Sequence, residues 1–197
     1  MRRRRLARVR VLLVGGGCRG LALASELVAD GHAVRAVTRH ERNRARIEQA
    51  GAECWIGDPD VVGTLRYALE NVTILVWALG TAAGSPEQSA ALHGPRLEMM
   101  LSKTIDTTVR GVVYEAAGTI APEAFATGIA EIVRMGELNQ IPYAIVDADP
   151  AGREAWVAAA RRAIDGLIGV GATMNHHKPD REFPDAMRRR PHGSDDR

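Results

Sequence analysis

The sequence predicts a doubly wound parallel α/β sheet of about six strands in a single domain, on three observations. Short apolar runs alternate with amphipathic helical stretches from Val9 to Leu167. The first run, Val9–Val14, is apolar almost without interruption, as suits a strand covered on both faces. It leads directly through glycines into a helix. Strands joined through helices are parallel, and their crossovers are right-handed.

Each element has its own signal. After Val9–Val14, a helix places Leu21, Ala24, Ser25 and Val28 on one face and ends at Gly31. Ala33–Thr38 reads as the second strand, and Glu41–Ala50 as a charged surface helix stopped by Gly51. Glu53–Ile56 is a short third strand, Val61–Leu69 a helix and Val72–Trp77 a fourth, fully buried strand. A loop rich in Gly, Ala, Ser and Thr runs from Leu79 to about His93. Pro95 opens the next helix, whose stripe is Leu97, Met100, Leu101, Thr104 and Ile105. Gly111–Tyr114 is the fifth strand. Phe125, Ile129, Ile132 and Val133 mark a further helix, and Tyr143–Val146 the sixth strand. Asp149-Pro150 reads as an N-cap followed by Pro at the first helical position. That last helix buries Trp156, Ala160, Ala163, Ile164 and Leu167. The expected organisation is a basic, disordered segment over 1–8, the folded domain over 9–172, and a tail over 173–197 that is expected to be disordered because its hydrophobic periodicity is lost.

Composition narrows the classes. Of the 26 Lys and Arg, six lie in residues 1–10 and six in 173–197, where five of the 24 Asp and Glu also lie. Residues 11–172 therefore hold 14 basic and 19 acidic residues, so the folded body is net acidic and no nucleic-acid groove is expected. Two cysteines, Cys18 and Cys54, point to a reducing compartment and a cytoplasmic protein without a disulfide framework. Val9–Val14 is too short to span a membrane. His176-His177 is a weak metal motif, and no metal site is expected.

The glycines fall at Gly15, Gly17 and Gly20, the G-x-G-x-x-G spacing. Gly15 permits the tight turn, Gly17 clears space for a pyrophosphate, and Gly20 lets the helix pack closely. The helix N-terminus, with Cys18 and Arg19 in its first turn, offers unpaired N–H groups to phosphates. A site for NAD usually carries a carboxylate at the end of the second strand. Here Thr38 and Arg39 occupy that place, with Arg42 and Arg44 one turn on and Glu41 as the opposing signal. Guanidinium groups bind a 2′-phosphate and a carboxylate repels it, so NADP is expected over NAD.

On GGGCRG, Thr38-Arg39, Gly57-Asp58, Ala78-Leu79-Gly80 and the run VVYEAAG over 112–118, the chain resembles the atypical short-chain dehydrogenase/reductases. The similarity is to their NmrA-like NAD(P)-binding members with a Rossmann fold, and it covers about residues 9–150. The resemblance places Arg19 and Arg39 near the 2′-phosphate and Asp58 beside the adenine. It places Ala78 and Gly80 along the adenosine and pyrophosphate. Catalytic members use a Tyr-x-x-x-Lys pair, but Tyr67, Tyr114 and Tyr143 are followed at that distance by Asn71, Gly118 and Asp147. Ala116 and Ala117 stand where a serine is expected, and no C-terminal substrate-binding extension like that of the longer members is expected. The phrase GAECWIGD over 51–58 also resembles the nucleotide-binding regulatory domain of potassium transport systems. That domain usually has an acidic residue at the second strand's end and a separate C-terminal module, and this chain has neither.

Glu115 and Thr119 are the remaining candidates for chemistry. Glu115 ends an apolar strand and suits a proton donor, a substrate anchor or a structural acceptor; Thr119 suits the place of the missing serine. The expected function is an NADP(H)-dependent oxidoreductase reducing a small acceptor, with a non-catalytic NAD(P) sensor as the alternative.

Overall fold

The computed structural model describes residues 7–174. Its six strands are β1 (Arg10–Gly15), β2 (Ala33–Thr38), β3 (Glu53–Ile56), β4 (Ile74–Ala78), β5 (Gly111–Glu115) and β6 (Tyr143–Val146). They form one sheet in the order β3-β2-β1-β4-β5-β6, with every pair parallel. The register aligns Val14 of the central strand with Val37 on one side and Trp77 on the other.

The period-two alternation of β1 sends its side chains into two separate cores. Val11 and Leu13 pack with α1 (Gly17–Ala29), Ile47 of α2 (Arg44–Gln49) and α6 (Arg153–Met174). Leu12 and Val14 pack with α4 (Pro95–Thr104) and α5 (Pro122–Asn139). Both faces are covered, which is why β1 is apolar and buried from Val11 to Val14 and β4 is apolar and buried at every position.

Several helix expectations need correction. The buried face of α1 runs through Gly20, Leu23, Ala24 and Leu27, while Ser25 is exposed and Leu21 and Val28 only half-buried. The stripe shifts because Gly20 is one of its members: a Cβ there would lie 2.8 Å from the Gly15 carbonyl oxygen. The 41–50 stretch is a 3-10 turn, Glu41–Asn43, followed by α2. The 61–69 stretch is two 3-10 turns, Val62–Leu65 and Tyr67–Leu69. Gly63 lies in the first, and the Thr64 hydroxyl bonds the backbone of Asp58 and Val61, competing with an α-helical ladder.

Part of the expected loop after β4 is α3 (Pro86–His93). Its capping box was present in the sequence: Ser85 accepts from the Gln88 N–H, the Gln88 side chain returns to the Ser85 N–H, and Pro86 is the first helical residue. Ile105 lies beyond α4 and is exposed. Asp149 does not cap α6; its carboxylate closes a turn onto the Ala151 N–H at 2.8 Å, and the helix starts at Arg153. At its far end α6 continues to Met174, past the expected boundary at 172. The rest of the tail, the Arg2–Arg5 run and His176-His177 lie outside the described residues.

Gly128 shows how tightly the second core is packed. A Cβ there would sit 1.9 Å from the Tyr114 hydroxyl oxygen. In an open helix, Gly→Ala gains up to about 1 kcal/mol. Gly128→Ala is instead expected to lose about 1–3 kcal/mol by overpacking. Urea denaturation of the two proteins measures the sign.

Candidate functional site

Strand order reverses between β1 and β4, and the crevice of such a sheet lies outside the strands' carboxyl ends at that point. There the chain leaves β1 through Gly15, Gly16 and Gly17, all at positive φ (89°, 84° and 52°). The turn is anchored to β4, because the Gly16 N–H donates to the Ala78 carbonyl at 2.7 Å. A Cβ on Gly15 would lie 2.3 Å from the same oxygen, whereas one on Gly17 would meet nothing within 4 Å. Gly17 thus faces open space over the start of α1. That helix has no side-chain cap and no acidic residue in its first turn. Its free N–H groups and positive dipole end face the opening, which fits a phosphate group.

A cleft of about 320 Å³ opens beside this turn. Gly15, Gly17, Cys18 and Gly20 line it on the helix side, Thr38, Arg39, His40, Asn43 and Arg46 at the β2 end, and Gly57, Pro59 and Leu79 elsewhere. No Asp or Glu is among its lining residues. The Arg39 side chain is 42% exposed and lies 3.9 Å from Asp58 and 3.8 Å from Asp60. Thr38 is occupied locally, its hydroxyl accepting from Asn43 at 2.9 Å and from the His40 N–H at 3.3 Å.

The second guanidinium on the cleft is that of Arg46, with a nitrogen 3.7 Å from Cys18 Sγ. Sequence reasoning singled out Arg42 and Arg44 and missed it. Arg44 is held by Glu41 and by Glu48 at 3.6 Å, and that same hydrogen bond lowers the pKa of the Glu41 carboxyl. Glu41, the competing signal for a ribose hydroxyl, is therefore engaged by Arg44. Asn43, Arg46 and Ile47 stand at i, i+3 and i+4 of this segment, and all three line the cleft. A helical wheel anchored on the apolar Ile47 could have found Arg46.

Other expected placements change. Arg19 does not project toward the 2′-phosphate end. It is buried, with Nη2 at 2.6 Å and Nε at 3.1 Å from Glu115 Oε1, Nη1 donating to the Thr81 hydroxyl at 3.0 Å, and its guanidinium 5.0 Å from the Trp156 ring centre. Glu115 is 1% exposed, and its other oxygen accepts from the Gly80 N–H at 2.7 Å. Both of its oxygens are thus used inside the fold. Thr119 is exposed and donates its N–H to the Gly80 carbonyl at 2.9 Å. Asp58 sits beside the cleft, between the lining residues Gly57 and Pro59, and its carboxylate accepts from the Asp60 N–H at 3.0 Å. The backbone groups of Ala78 and Gly80 expected along the ligand are bonded to Gly16, Glu115 and Thr119.

Beneath Leu79 lies a buried polar pair. His93 is fully buried, with Nδ1 2.6 Å from the Tyr114 hydroxyl and Nε2 3.4 Å from the Leu79 carbonyl oxygen. The one tautomer that satisfies both contacts carries its proton on Nε2, so Tyr114 donates to Nδ1. The rings of Tyr114 and Phe125 meet the imidazole edge-on. Burial lowers the His93 pKa and raises that of the Tyr114 phenol, so both stay neutral.

A glycine turn at the strand-order reversal, an uncapped helix start and a cleft ending in two guanidiniums define a dinucleotide-binding Rossmann domain. Comparison by sequence agrees: the NAD(P)H-binding family model matches residues 15–139, more than half of the chain, and the chain belongs to that family. No curated protein matches it. Among solved structures, Pen from Bacillus thuringiensis is 17% identical with a TM-score of 0.61, over 71% of this chain and 49% of its own. The triphenylmethane reductase of Citrobacter sp., complexed with NADP(H), is 17% identical with a TM-score of 0.52, over 69% and 48%. The UDP-glucuronic acid 4-epimerase of Bacillus cereus, in complex with NAD, is 10% identical with a TM-score of 0.57, over 69% and 55%. These likenesses establish the fold, and the chain spans about half the length of those proteins. Among the described residues no helix is long and apolar enough to cross a membrane, and no cluster of three metal-ligating side chains occurs.

Two predictions follow from the buried groups. Glu115→Ala strands the Arg19 charge in the interior and is expected to lower stability by about 3–5 kcal/mol, whereas Arg19→Met with Glu115→Leu loses less than that single change. A double-mutant cycle in urea tests this. For His93, the unfolded ring takes up a proton at a higher pH than the folded one. Its contribution to stability is therefore complete above the ordinary value of 6.5 and is lost as pH falls below it. The fall in urea midpoint from pH 7.5 to 5.5 should be smaller in His93→Gln than in the parent.

Proposed function

We propose that this chain binds NADP(H) in preference to NAD(H) and forms the cofactor-binding part of an atypical, NmrA-like short-chain reductase. The carrying observation is the charge of the cleft: Arg39 and Arg46 line its β2 end, and no carboxylate does. A 2′-phosphate placed there meets two guanidiniums, whereas a ribose hydroxyl finds no carboxylate on the lining to accept from it. Gly17 and the uncapped start of α1 take the pyrophosphate.

When bound, NADPH would supply a hydride to a small acceptor such as a flavin, a quinone or a conjugated carbonyl. Such acceptors take their proton from water, which suits a chain whose tyrosines lack the lysine partner and whose Glu115 is committed to Arg19. The same two observations favour a second reading, a non-catalytic sensor whose partner binding responds to the nucleotide. A cytoplasmic location belongs to the proposal and is supported by the free thiols of Cys18 and Cys54.

Calorimetric titration with NADPH and NADH tests the cofactor assignment. NADPH should bind more tightly, and Arg39→Asp should weaken it at least about tenfold by removing a charge-assisted contact. NADH affinity should hold or rise. Arg46→Ala should act in the same direction with a smaller effect. Unchanged NADPH affinity in Arg39→Asp would sink the assignment. Consumption of NADPH with a panel of flavins and quinones separates the reductase from the sensor.

A further inference from the structure

The cleft is one-sided. Every residue that lines it belongs to β1, α1, β2, α2 or the segments around them, together with Gly57, Pro59 and Leu79. Nothing C-terminal to Leu79 contributes, although a dinucleotide crosses the strand-order reversal and reaches over the ends of β4 and β5.

On that far side several polar groups are used by one another. The Gly80 N–H goes to Glu115 Oε2 at 2.7 Å, and the Gly80 carbonyl accepts from Thr119 at 2.9 Å. The other Glu115 oxygen and the Thr81 hydroxyl are taken by Arg19. The two loops touch backbone to backbone: a Cβ on Gly118 would lie 1.8 Å from the Gly80 oxygen, and one on Gly80 would lie 2.2 Å from the Ala117 oxygen. They form a closed clasp in which the Gly80 backbone and the Glu115 carboxylate are already bonded within the fold.

We propose that this chain recognises its ligand through the 2′-phosphoadenosine half alone. Adenosine 2′,5′-bisphosphate is a sufficient ligand, and the nicotinamide ring is held by none of the described residues. This rests on the NADP(H) reading above and sharpens it. Affinity comes from the enclosed, cationic half of the cleft, where apolar walls, guanidiniums and helix N–H groups converge. The ring end lies over the clasp, open to an acceptor or to a second polypeptide surface. Binding is consequently blind to the redox state of the nicotinamide, because none of the described residues that line the cleft lies beyond Leu79.

Competition and calorimetry on the full chain test this with NADP⁺, NADPH, adenosine 2′,5′-bisphosphate, NAD⁺ and nicotinamide mononucleotide. Adenosine 2′,5′-bisphosphate, NADP⁺ and NADPH should agree within about threefold, and nicotinamide mononucleotide should bind at least about a hundredfold more weakly. NADP⁺ or NADPH binding more than about tenfold tighter than the bisphosphate would overturn the proposal while leaving the NADP(H) assignment intact. NAD⁺ binding as tightly as NADP⁺ would instead remove the parent reading.

Discussion

The buried ion pair between Arg19 and Glu115 is the constraint around which the carboxyl end of the sheet is organised. Removing two charges from water costs several kcal/mol for each ion, and their attraction offsets this only when the remaining hydrogen-bonding groups are satisfied. Here they are. Arg19 spends its guanidinium on Glu115, Thr81 and the face of Trp156, and Glu115 gives its second oxygen to Gly80. One pair thereby ties the first turn of α1, the loop after β4, the end of β5 and α6 into a single unit. The glycine turn is held from two sides, by Arg19 below and by the Gly16 contact to Ala78 above.

That arrangement divides the crevice into unlike halves. Toward β2 and β3 the surface is concave, apolar at its base and cationic at its rim, and the free N–H groups of α1 face it. Toward β4 and β5 the Gly80 backbone groups and the Glu115 carboxylate are turned inward. In this chain an arginine and a glutamate bonded to each other occupy that region. Both functional readings, an acceptor arriving from outside and a sensor without turnover, share that physical base.

The pair of His93 and Tyr114 plays a lesser version of the same part on the opposite face. It fixes the Leu79 carbonyl from beneath, so that the residue closing the cleft is held by the second core while its neighbour Gly80 is held by Glu115. Two buried polar contacts therefore meet at adjacent residues of one loop. The tight contact of Gly128 with Tyr114 leaves that side little room to adjust.

The sequence by itself determined the sheet, the glycine turn and the cofactor class, because these depend on local, periodic or compositional signals. Apolar runs specify buried parallel strands, and G-x-G-x-x-G specifies a turn that only glycine can make. The α3 helix was also legible in its Ser85–Gln88 capping box, though Gly and Ala around it masked the signal. What only the tertiary structure decided is where the long polar side chains go. Arg19 and Glu115 are 96 residues apart, and Arg46 shares with Asn43 and Ile47 the face that the fold turns to the cleft. A guanidinium on a flexible stem takes its direction from whichever carboxylate the fold brings near. Sequence spacing could place Arg19 in the turn but not choose between a ligand phosphate above it and Glu115 beneath.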